Sequence, residues 1–116
     1  MTILLLVNLV LVLVATGYAV FAWARPGVLT SGLGAETPPS SFYARMYAFR
    51  GVPLGVATAV IILVNLGTPE ATRWWLVVSG LVQVGDAALA MRHRMRGMAI
   101  GAAVAAVVHL VSAALV

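Results

Sequence analysis

The stretch ILLLVNLVLVLVATGYAVFAWA, residues 3–24, carries no charged side chain. A helix rising about 1.5 Å per residue needs about 20 such residues to cross roughly 30 Å of hydrocarbon. Ile3–Ala24 meets that length, and three more apolar runs follow it: Val52–Leu66, Trp74–Met91 and Met98–Val116. The second run is short unless its helix begins upstream, near Phe42. The pattern predicts an all-α fold, a four-helix transmembrane bundle forming one domain over 1–116. Its helices are expected at about 3–24, 42–66, 69–91 and 97–116, the second kinked near Pro53.

Composition supports this. The 116 residues are 63% hydrophobic and 9% charged, with no Cys and a mean hydropathy of +1.08. Soluble domains are about 45–50% apolar and about 25% charged, and a small one cannot hide this much apolar surface. A soluble enzyme, a disordered chain and a disulfide-stapled secreted module are thereby excluded. Ala22-Trp23-Ala24 has the small-x-small form of a signal-peptide cleavage site. However, Met1-Thr2 offers no basic residue and the apolar run exceeds 7–15 residues, so a retained first helix is expected.

All seven basic residues are Arg, against Glu36, Glu70 and Asp86, for a net charge of +4. They flank apolar runs and form no nucleic-acid module, so membrane lipids are the expected counterparts and nucleic acid is not. Arg25, Arg45, Arg50, Arg92, Arg94 and Arg96 fall on one side of the four-span topology and Arg73 alone on the other. The positive-inside rule then predicts a multi-pass membrane protein with both termini on the non-cytoplasmic side. Trp23 and Trp74-Trp75 suit the aromatic belts.

Arg25–Ser41, rich in Pro and Gly, reads as an irregular loop. Thr37-Pro38 is the expected cap of the second helix, with Ser40 or Ser41 as alternatives. Pro53 cannot bond the carbonyl of Phe49, and with Gly51 nearby a kink is expected. Gly67 and Thr68-Pro69-Glu70 predict a tight turn into the third helix. Arg92–Arg96 reads as a solvated turn at the headgroups. Gly97, Gly101 and Ala105 recur every fourth residue and predict close helix approach on the fourth helix.

Polar groups at membrane depth are costly unless paired, so they carry the functional reading. Ser79, Gln83 and Asp86 share one face of the third helix; Tyr43, Tyr47 and Arg50 share one on the second. Arg50 is expected to pair with Asp86, with Tyr18, Tyr47 and Gln83 as neighbours. A second layer is expected toward the termini, with Asn8 beside His109, Ser79 and Ser112 close by, and Asn65 shallower. Asp86, Arg50, Tyr47 and Tyr18 are the catalytic candidates. Arg45, Arg50, Tyr43, Tyr47, Gln83, Asp86, Asn8 and His109 are the ligand-binding candidates. Against this stands the plain alternative that the ion pair only fixes helix register, or that Arg50 snorkels to the headgroups. No metal or cofactor is expected: two distant His and no Cys make no zinc site or haem ligand pair, and Gly32-Leu33-Gly34 is no dinucleotide fingerprint.

Ser41–Gly51, with its Phe42-Tyr43-Ala44-Arg45 start and Arg50-Gly51 end, is followed by Pro53, Gly55 and Gly85-Asp86-Ala87. In these motifs the chain resembles a family of small four-helix membrane proteins of unknown function related to the DoxX-like group. The resemblance implies a four-helix membrane fold over nearly the whole chain and no established activity. It also implies that Arg45, Arg50 and Asp86 occupy the family's polar positions. Small multidrug transporters are similar in length and helix number but depend on a buried Glu in the first helix, where this chain has only Asn8. Fluoride channels share the length without a matching pore pattern.

Three functions fit the residues. The first is a module that binds a lipid or lipophilic small molecule in its polar cluster, or acts as a membrane subunit. The second is a membrane-embedded isomerase, cyclase or hydrolase using Asp86, Arg50 and Tyr47. The third is a small transporter, which at this size requires a homo-oligomer.

Overall fold

A computed structural model describes residues 2–27, 38–64 and 69–116. Among these residues lie four long helices: α1 (Thr2–Ala24), α2 (Pro38–Val64), α3 (Pro69–Arg92) and α4 (Arg96–Leu115). Each is long and apolar enough to cross a membrane, as expected of a multi-pass membrane protein. The expected caps at Thr37 and Thr68, the stop at Gly67 and the polar Asn65 lie outside the described residues. Ser40 and Ser41 fall within α2, which begins at Pro38, and Pro53 sits inside its unbroken length.

The helices run up, down, up and down. Leu5 of α1, Ile62 of α2, Leu76 of α3 and Ala113 of α4 form one buried cluster at the end carrying the termini. Ala22 and Ala44, with Tyr47, Met95 and Met98 against them, form another at the opposite, Arg-rich end. The bundle measures 47 × 24 × 18 Å, long enough to span a bilayer.

Packing is unequal around the ring. α1 lies closely along α2 and α3 closely along α4, whereas α1 meets α4, and α2 meets α3, less extensively. The close contacts depend on glycine. A Cβ at Gly55 would collide with Thr16 Oγ1, and one at Gly80 would lie 2.7 Å from Leu110 Cδ2. Removing side chains there lets two backbones approach, which raises dispersion contact where lipid provides no hydrophobic drive. The bundle is therefore two tight hairpins meeting along a looser seam.

The small-residue spacing on α4 does not work as the sequence predicts. Ala105 is buried, but Cβ atoms at Gly97 and Gly101 would meet nothing within 4 Å. At about 100° per residue a four-residue row drifts about 80° over two steps, so it winds from the outer surface into the core. Only 22% of the α1 window is buried, and Leu13, Val14, Leu63 and Ile100 point outward. In water such exposure would oppose folding; hydrocarbon solvates it.

The turn between α3 and α4 ends α3 with a left-handed residue. Arg94 has φ 58°; its N–H bonds Met91 O at 3.1 Å, and Met95 N–H bonds Ala90 O at 2.8 Å. That is a Schellman arrangement with Arg where glycine is favoured. Met95 then packs onto the Ala22–Ala44 cluster, tying the turn to the other hairpin.

Candidate functional site

The polar residues lie along the seam. Arg50 of α2 donates from Nη2 to Asp86 Oδ1 of α3 at 2.5 Å. The two ends of this pair differ in exposure: the Arg50 side chain is 54% exposed and that of Asp86 only 7%. The guanidinium carbon stands 5.7 Å from the centre of the Tyr47 ring, one turn back on α2. Asp86 engages Arg50 through Oδ1 and leaves Oδ2 without a protein partner among the described residues.

Further along the same seam, Trp75 Nε1 of α3 donates to Thr58 Oγ1 of α2 at 2.8 Å, while Thr58 donates to Leu54 O. The sequence assigns Trp75 to the aromatic belt together with Trp74. Trp74 does face outward, but the indole N–H of Trp75 is used inside. The signal for Thr58 was its spacing from Tyr47: eleven residues is three helical turns, which puts both on one face.

Across the other side of the seam, Asn8 of α1 meets α4. Its Nδ2 donates to Ser112 Oγ and, more weakly, to Leu4 O at 3.2 Å and Val108 O at 3.4 Å. Backbone carbonyls only accept, so this fixes the amide orientation and leaves Asn8 Oδ1 as the acceptor for His109 Nδ1 at 2.6 Å. No carboxylate contacts the buried ring among the described residues, and an unpaired charge there is costly, so the imidazole is neutral. With its proton on Nδ1, Nε2 is an acceptor without a protein partner among the described residues.

Several of these groups line a partly open cavity of about 40 Å³ between the four helices. Its walls include Tyr47, Arg50, Ser79, Gln83, Asp86 and His109, so the two polar layers expected from the sequence open onto one space. Thr16, beside Gly55, contributes from α1 and donates to Val12 O at 2.7 Å. Ser79 is 1% exposed, and its hydroxyl has no hydrogen-bond partner among the described residues. Leaving such a group unbonded costs about 1–3 kcal/mol. Gln83 likewise has no protein partner among the described residues. The Leu5–Ile62–Leu76–Ala113 cluster and the Asn8–His109–Ser112 bonds close the cavity toward the termini. On the seam between α2 and α3, Arg50 reaches from the cavity to the outer surface.

Four residues expected in the site are not part of this wall: Asn8, which is buried and bonded to His109, and three that turn outward. Tyr43 is 67% exposed and stacks edge-on with Phe42 at 5.7 Å, a turn beyond Tyr47, where Ala44 takes the inward position. Arg45 is exposed beside it. Tyr18 is 39% exposed and is not part of the cavity wall.

No known protein family, curated protein or solved structure matches the chain. The DoxX-like resemblance therefore rests on Ser41–Gly51, Pro53, Gly55 and Gly85-Asp86-Ala87 alone.

Proposed function

We propose that this multi-pass membrane protein is a binding module that takes the polar head of a lipophilic molecule into the seam cavity, with the apolar body left in the bilayer beside Arg50. The carrying observation is the cavity itself, at membrane depth, with polar groups set in an otherwise apolar wall, one of them a buried hydroxyl that has no partner among the described residues. Its size decides what enters. A water needs about 10–15 Å³ of such space and a whole drug-sized ligand about 300–1,000 Å³. About 40 Å³ therefore holds a head of a few atoms and excludes a tail.

Closure toward the termini favours this reading over an open conduit. We place the Arg-rich end in the cytoplasm, so that the ligand reaches the cavity from the inner half of the bilayer. The absence of native Cys makes single-cysteine labelling a clean test of sidedness. Cysteines at His93 and Glu70 should react with an impermeant maleimide from opposite sides.

The binding reading is tested by native mass spectrometry of the purified protein. Asp86→Asn should release co-purified lipid that the wild type retains; equal retention by both refutes it. Catalysis by the same residues is favoured by one observation, the unengaged Oδ2 of Asp86 beside Tyr47, which suits a base with a nearby proton donor. Turnover of a lipophilic substrate that survives alanine at both Arg50 and Asp86 would end that reading.

A further inference from the structure

We infer that the head bound in the seam cavity is neutral and carries a hydroxyl, as in a long-chain alcohol or a monoacylglycerol. This rests on the binding reading above and specifies its ligand.

Charge comes first. Arg50 and Asp86 already sum to zero, and among the described residues no other charged side chain lines the cavity. An anionic head drawn to Arg50 would stand beside the Asp86 carboxylate held by the same guanidinium. A cationic head drawn to Asp86 would meet Arg50. Either would add an unpaired charge at membrane depth, the costly case.

Hydrogen-bonding polarity comes next. Its bond to Asn8 makes His109 Nε2 an acceptor, so whatever stands opposite must donate. Arg50 has five N–H donors and places one on Asp86, so it can also donate to an oxygen of the head. Ser79 and Gln83 satisfy either role. An ester or ketone accepts but cannot donate. A hydroxyl does both, directly or through a neighbouring water, for which the cavity has room.

A series with one chain and three heads tests this: oleyl alcohol, methyl oleate and oleate, titrated into the purified protein in nanodiscs and read by native mass spectrometry. Oleyl alcohol should bind about fivefold or more tightly than either of the others, the worth of roughly one hydrogen bond. Ser79→Ala breaks no existing bond and so keeps the fold; it should reduce that preference. Tighter binding of oleate overturns neutrality, and equal binding of methyl oleate overturns the donor requirement, each leaving the binding reading in place. No saturable binding of any of the three removes the binding reading, and this inference with it.

Discussion

Replacing Ser79 with alanine removes one oxygen from a position 1% exposed, where it makes no hydrogen bond. The change is nearly isosteric, so no void of consequence is left and no partner is orphaned. What disappears is the desolvation cost of an unmet hydroxyl, about 1–3 kcal/mol, reduced by whatever a cavity water returns to it. A net gain of about 1 kcal/mol is expected. For a chain of this size that is a rise in the unfolding midpoint of roughly 3–6 °C. Ser112→Ala supplies the contrast. That hydroxyl is fully buried and accepts from Asn8, so its loss leaves the amide with only its weaker bonds to Leu4 O and Val108 O and should cost about 1 kcal/mol. The same substitution on adjacent helices thus carries opposite signs. Thermal unfolding in a single detergent, with binding measured alongside, reads both. Loss of stability in Ser79→Ala comparable to that in Ser112→Ala would show that the Ser79 hydroxyl is already bonded, and the argument from an unmet group would collapse.

Other substitutions separate seam from hairpin. Asp86→Asn should destabilise by only about 1–2 kcal/mol, less than a fully buried pair, because the exposed Arg50 guanidinium can turn to the headgroups; a denaturant titration in micelles checks this. Gly55→Ala should cost about 1–3 kcal/mol, since its Cβ would collide with Thr16, while Gly101→Ala, facing open space, should gain a few tenths to about 1 kcal/mol. Parallel melting curves of the two variants decide it. Arg94→Gly relieves a left-handed backbone and should leave stability unchanged or raise it by up to about 1 kcal/mol, readable in the same melts.

Four membrane-length helices were legible because lipid imposes a length and a polarity that composition reports directly. The pairing of Arg50 with Asp86, and of Asn8 with His109, was legible for a related reason: few polar groups lie at depth, and depth along the chain nearly determines which can meet. Azimuth was harder. Tyr43, Tyr47 and Arg50 share a helical face, yet only the latter two line the cavity, because at that end of α2 Ala44 takes the inward position and Tyr43 turns out beside Phe42. The Gly97–Gly101–Ala105 row failed similarly, since a four-residue repeat drifts around a straight helix and no sequence rule says where it enters a contact. The cavity was not legible either. It is set by how loosely two hairpins meet, a property of four helices together.

That looseness divides the labour among bond types. Within each hairpin, glycine contacts hold the helices; between hairpins, the polar links include Asn8 to His109 and Ser112, Arg50 to Asp86, and Trp75 to Thr58. A nick between Val64 and Pro69 would therefore sever the polypeptide while leaving both helical pairs whole. Co-expressed as fragments, the halves would have to find each other through a handful of directional contacts, a lock whose teeth are also the walls of the pocket.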